Sequence, residues 1–446
     1  MEPVPERILT YAKETLAQLV AIPSVSAEGR GLEAAAQLVA EQLEALGLEA
    51  ALHPTPGAPV VYATRTVPGA PTILFYNHYD VQPADPLELW ETDPFTLTER
   101  DGALYGRGAV DDKGELAARI AALVWLKERY GELPFGVKFV VEGEEEVGSP
   151  HLARYVEENQ ARLAADACLW EAGGVDAAGR PLAYTGLKGI VALELVVRTA
   201  KFDLHSSYGA VVENPIHRLS RALASLRDAD GRVLIEGFYD EVRPLTPEEE
   251  AALERIPDES PALAELFGVP AFLGGVSGTA FYRKLLAEPC VNINGFTSGY
   301  AGPGSKTVLP AEARAKLDFR LVPDQDPKRV VTLLKRHFER HGFTDVEVRV
   351  LEVGEKPARS DLTHPWVQAT RAALAEVYGT EPVLYPNMPG SGPMHPFAHG
   401  LGVPVVGIGC GYPGSRVHSP NEHLRLADLE RGIQAIARAL ERFALE

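Results

Sequence analysis

Cysteine is scarce in this sequence. Cys168, Cys290 and Cys410 are widely spaced, sit in apolar surroundings and form no CxxC pair. So sparse and odd a set argues against a disulfide framework and for reduced core thiols in a cytoplasmic protein. No run of 18 or more apolar residues occurs, so no membrane span is expected. The opening MEPVPERILTYAKETLAQLV carries acidic residues and reads as an amphipathic helix, not as a signal peptide. Clustered Lys and Arg are also missing, and the formal net charge is −19. A protein that pairs with phosphates needs a basic face, which makes nucleic acid and anionic membrane poor partners. No internal repeat or low-complexity tract is visible.

What is present is the composition of a soluble globular protein, with 46% hydrophobic and 24% charged residues. At 446 residues the chain exceeds one ordinary core, so two domains are expected. Up to about residue 185 helical and strand patterns alternate. Residues 7–21, 32–47 (closed by Gly47) and 113–130 have helical apolar spacing, while 71–76 (PTILFY) and 136–141 (GVKFVV) read as buried strands. That rhythm predicts an α/β domain with a mostly parallel sheet and helices on both faces. From Gly186 the texture changes. A strand in GIVALELVVRTA, a helix at 215–227, a polar Pro/Glu-rich stretch at 243–266 and strands at 312–322 and 346–353 suggest a separate α+β unit. The helical pattern returns at 364, followed by an apolar strand at 402–409 and a final helix. The α+β unit, 186–354, is therefore expected as an insertion between two parts of the α/β domain, 1–185 and 355–446.

Five segments place ligand-type residues directly after apolar runs, where open α/β sheets build their sites. FYNHYDVQP offers His78 and Asp80, a spacing that suits an imidazole whose tautomer is fixed by a carboxylate. LYGRGAVDDKGE lacks the third glycine of GxGxxG, which disfavours a dinucleotide site; its Asp111 and Asp112 would ordinarily cap the following helix. VVEGEEEVGSPHL has four acids in five residues, DACLWEAGG offers Glu171, and GCGYPGSRVHSPNEHL offers His418. Each alone has a plainer reading, as a solvated loop or a turn. Together, two His and at least three carboxylates make a ligand set for two divalent ions. Three ligating carboxylates and a bridging hydroxide carry four negative charges, matching two Zn²⁺. A spare Glu beside a ligating one supplies the general base of metal-assisted hydrolysis.

HYDVQP, the Trp90–Phe95 segment W-x-x-DPF, LYGRGxxDDKG, EGEEExGS, DLHSS, KTVLP, DFRLVPDQ and HSPNE occur in one order along the whole chain. In this the sequence resembles the co-catalytic zinc exopeptidases and deacylases, a family that includes carnosinase-type dipeptidases, glutamate carboxypeptidase, acetylornithine deacetylase, succinyl-diaminopimelate desuccinylase and aminoacylase. The resemblance implies hydrolysis of the amide bond of dipeptides or small peptides by a water bridging two metal ions, Zn or alternatively Mn or Co. An N-acyl-amino-acid deacylase with the same machinery is the alternative. It implies His78 and His418 as ligands of one ion each, Asp111 as the bridge, Glu146 and Glu171 completing one ion each, Glu145 as the base and Asp80 orienting His78. The inserted unit would be a lid that also forms a homodimer. His205 would reach the partner subunit's site to stabilise the oxyanion, and Thr307, Arg320 and Ser391 would hold the substrate. The dipeptidase branch tends to have Asp where this chain has Glu171, the spacing from Asp166 to Glu171 is one residue shorter than usual, and DLHSS replaces the usual DLHSG.

Overall fold

The computed structural model describes residues 2–352 and 354–446. The apolar segments at 72–78, 136–142, 167–170 and 405–407 form the parallel centre of a nine-stranded sheet, and antiparallel strands extend it at both margins. Side chains alternate across a strand, and both sets are apolar here, which calls for cover on both faces. Ile73 and Phe75 accordingly face one core with the helices Glu6–Val20, Leu32–Leu46, Lys113–Tyr130, Pro365–Tyr378 and Leu426–Ala444. Leu74 and Tyr76 face another, formed with Leu152, Tyr155, Val156 and Phe397. The helix Leu32–Leu46 ends where expected, because Gly47 at φ +97° supplies the left-handed turn that a side chain would resist.

A second sheet, four-stranded and antiparallel, is built from Gly189–Arg198, Cys290–Ser298, Glu312–Leu321 and Glu347–Glu352. The alternating Val191, Leu193, Leu195 and Val197 point into a core of their own, covered by the helices Pro215–Ala224 and Pro327–Arg340. A strand-like alternation and an amphipathic helix pattern thus meet as the sequence suggests. Val353, the end of the strand expected at 346–353, lies outside the described residues. The stretch at 243–266, seen in the sequence only as polar and Pro/Glu-rich, contains the helices Pro247–Arg255 and Ser260–Phe267. Thr246 and Glu249 form a reciprocal capping box at the first of these, and Leu253 and Ile256 pack with Val383 of the main sheet. The expected strand at 402–409 is shorter, Val405–Gly407. No helix among the described residues is long and apolar enough to cross a membrane.

Candidate metal centre

Four loops converge at the carboxyl ends of the central parallel strands. His78 is the last residue of its strand, and Glu171 directly follows Trp170. Glu145 and Glu146 lie on a one-turn helix just past the strand that ends at Glu142, and His418 lies in the loop beyond Gly407. Two ligand-type groups result, His78 with Asp112 and Glu171, and Asp111 with Glu146 and His418. Asp111 joins them. Its Oδ1 lies 3.1 Å from His78 Nε2, and its Oδ2 lies 3.0 Å from His418 Nε2. His78 Nε2 is also 3.6 Å from Glu171, and His418 Nε2 is 3.1 Å from Glu146. Five ligand-type residues found in the sequence, His78, Asp111, Glu146, Glu171 and His418, are thereby brought together.

The surrounding contacts hold these groups in place. His78 Nδ1 faces the Asp80 backbone carbonyl at 3.0 Å and the Asp80 carboxylate at 3.3 Å, which leaves Nε2 turned to the acids. The same Asp80 carboxylate accepts the backbone N–H groups of Glu145 and Glu146, so it ties the His78 loop to the acidic run. Gln82 donates to the Glu146 carboxylate from both its backbone and its side chain. Asp112 precedes the helix Lys113–Tyr130 but does not cap it with its side chain. Its carboxylate instead accepts from Asn77 Nδ2 at 2.6 Å and the His78 backbone N–H at 3.0 Å, which corrects the capping role expected from position alone. The Asp111–Asp112 peptide is cis. His418 and Asn421 are both held at positive φ, a conformation that non-glycine residues adopt rarely and that clusters at functional sites.

Electrostatics favour a cation here. Burial opposes charge on His78, yet Glu171, Asp111 and Asp80 outweigh it and hold the imidazole pKa well above its usual value. Contacts with Asp111 and Glu146 raise His418 to about 10. Burial pushes Glu171 well up, and Glu171 Oε2 is a buried oxygen without a hydrogen-bond partner. Burial also raises Glu145 to about 7, and its carboxylate makes no hydrogen bond among the described residues. So many acids in one partly buried cluster, with imidazole nitrogens between them and an orphaned buried oxygen, match the hard-to-borderline donor set of divalent metal ions.

Among the described residues the remaining sequence candidates share no hydrogen bond or ion pair with this cluster. Arg320 donates to Ser391 Oγ at 3.0 Å and pairs with Asp318 at 3.3 Å, so these two substrate-type residues meet although they are 71 positions apart. His205 and Thr307 sit on the short ribbon in which Leu204–His205 pairs with Val308–Leu309. Both are exposed. The His205 imidazole hydrogen-bonds Ser207, and among the described residues neither His205 nor Thr307 bonds to the cluster. Sequence reasoning missed Asn77, Asp112 and Glu422 as supports. Their only signal was position, beside candidate ligands in the same segments.

A model of the peptidase family M20/M25/M40 matches residues 74–442. The Beta-Ala-His dipeptidase of Rattus norvegicus is 32% identical over 346 residues, 74% of this chain and 68% of that protein. For the same enzyme of Homo sapiens and Mus musculus the match covers 66% and 65% of their length. Among solved structures, an M20 family metallo-carboxypeptidase, Sso-CP2 from Sulfolobus solfataricus, superposes with a TM-score of 0.89 at 40% identity, covering 97% of this chain and 99% of that one. Human carnosine dipeptidase 1 superposes with a TM-score of 0.76 at 29% identity over the whole of both chains.

Proposed function

The chain belongs to peptidase family M20/M25/M40, and from that footing we propose that it is a metal-dependent exopeptidase that hydrolyses dipeptides. The observation that carries this reading is the bridge made by Asp111 between two His-acid groups, with the unbonded Glu145 carboxylate beside it. His78, Asp111 and Glu171 would hold one ion, with Asp112 behind them, and Asp111, Glu146 and His418 the other; Zn²⁺ suits the mixed imidazole and carboxylate donors. When bound, two such ions polarise a carbonyl and acidify water. Glu145 takes the proton of the attacking water as its oxygen bonds to the scissile carbon, then passes it to the departing amine as the C–N bond breaks. Asp80 fixes the His78 tautomer and the register of Glu145 against it. Arg320, oriented by Asp318 and Ser391, offers a guanidinium fork to the substrate's terminal carboxylate. Thr307 would add a substrate contact from the 186–354 unit. This unit we read as a lid that pairs two chains into a homodimer, so that His205 of one serves the oxyanion of the other. A cytoplasmic location fits the sparse, unpaired cysteines.

The test is hydrolysis of dipeptides against matched N-acetyl amino acids, with Zn²⁺, Mn²⁺ or Co²⁺ added and then chelated. Dipeptide cleavage abolished by chelator supports the reading, and cleavage of the N-acetyl amino acids alone moves it to the deacylases, which the dipeptidase relatives disfavour. A second reading, removal of C-terminal residues from longer peptides, is favoured by the 40% identity to a metallo-carboxypeptidase along nearly the whole chain. Release of the C-terminal residue from tripeptides distinguishes it.

A further inference from the structure

A cavity of about 410 Å³ adjoins the candidate metal centre, with Asp111 and Asp112 in its lining. Its walls include Val175, Leu182, Tyr184, Met388 and Val417, which come from three separate parts of the chain. Leu182, Tyr184 and Met388 are only half-buried, and Val417 is 42% exposed although it directly precedes His418. Leu182 and Met388 pack at the margins of core clusters but keep part of their surface free. These walls form the apolar part of an open, water-facing hollow, whose polar lining is Asp111, Asp112, Glu115, Tyr412 and Ser415. Ligand sites have this character, with mostly apolar walls and a few convergent polar groups.

We propose that this cavity is a specificity pocket for an uncharged, apolar side chain, such as Leu, Met or Phe, on a residue adjoining the scissile bond. The proposal rests on the dipeptide reading and adds the substrate class to it. A charged side chain entering the hollow loses water against Val175, Leu182, Met388 and Val417, and the carboxylates in the lining, Asp111, Asp112 and Glu115, are already bonded to His78, Asn77 and the Cys410 amide. An apolar one gains with each methylene it buries, and a single methylene in such a pocket is worth roughly 10- to 200-fold in kcat/KM. The pocket also shares the 387–393 loop with the carboxylate-side residue Ser391, since Met388 forms part of its wall. Substrate length and side chain are thus sensed by neighbouring residues of one loop.

The experiment uses the full metal-loaded chain with two dipeptide series, Ala-X and X-Ala, where X is Ala, Leu, Met, Phe, Asp or Lys. In one series kcat/KM for Leu should exceed that for Ala by about tenfold or more, and Asp and Lys should fall below Ala. Leu182→Asp places a carboxylate in the wall, and Val417→Asp does so from an exposed loop position where folding is not at risk. Each should lower the Leu-to-Lys ratio of kcat/KM about tenfold or more, a ratio from which general loss of activity cancels. Indifference to X in both series, or an unchanged ratio in both variants, overturns the pocket alone. Failure to cleave any member of either series sinks the dipeptide reading and the pocket with it.

Discussion

Glu422 accepts the backbone N–H of Asp111 at 3.1 Å, from the same loop that carries His418. The fully buried carboxylate also receives the N–H groups of Gly108 and Val110 and the Arg107 guanidinium at 2.7 Å. One side chain thereby fixes the loop that presents the bridging acid to the loop that presents a histidine. Burial pushes the Glu422 carboxyl pKa up, against the opposing pull of Arg107 and the amides.

Glu422→Gln should therefore loosen the centre without removing any candidate ligand. Partners that orient metal ligands typically change affinity 10- to 100-fold when lost, so Zn²⁺ affinity measured by chelator competition should fall by about tenfold or more. Folding stability should drop by about 1–3 kcal/mol, because Arg107 keeps a weaker partner. Affinity within twofold of wild type would make Glu422 a fold support only.

Glu145 and Glu146 are neighbours with different surroundings, and their variants should differ in kind. Glu146 faces His418 and is held by Gln82, whereas the Glu145 carboxylate is unbonded. Glu145→Ala should retain both ions by elemental analysis and lose turnover by several orders of magnitude. Glu146→Ala should lose metal first. The opposite pattern would shift the roles by one residue.

Arg320 is read as the receptor of the substrate's free carboxylate. C-terminal amidation of a good dipeptide should cost wild type a large part of its kcat/KM, and cost Arg320→Ala little more than it has already lost. An equal loss in both enzymes removes Arg320 from that task.

His205 is exposed on its ribbon and touches none of the cluster residues of its own chain. If it serves the partner's site, His205→Ala and Glu145→Ala homodimers should each be nearly inactive. Exchanging their subunits should then restore about a quarter of wild-type activity in a random mixture, because half the dimers contain one complete site. Demonstrated exchange with activity still at the mutant baseline would exclude action in trans.

Much of this was legible in the sequence because the chemistry sits where apolar runs stop. ILFY before Asn77-His78 and ACLW before Glu171 announce strand ends, and the structure brings those ends together. Asp112 was not legible. Whether an acid before a helix caps it or turns inward depends on what lies beneath, and here Asn77 and the His78 amide lie beneath it. The helix Pro247–Arg255 was hidden by its Glu-rich composition, since only a narrow stripe, Glu249, Ala252 and Leu253, is buried. The pairing of Arg320 with Ser391 joins a strand of the second sheet to a distant loop and leaves no local pattern at all.

A centre of two ions that share Asp111 has a direct signature in a metal titration of the apoprotein. Elemental analysis, dipeptide hydrolysis and thermal unfolding would be followed together as Zn²⁺ or Mn²⁺ is added. Binding should saturate at two ions per chain, activity should require the bound metal, and stability should rise by about 2.7 kcal/mol for each site at a free concentration 100 times its Kd. Saturation at one ion, or full hydrolysis by the metal-free protein, would contradict it.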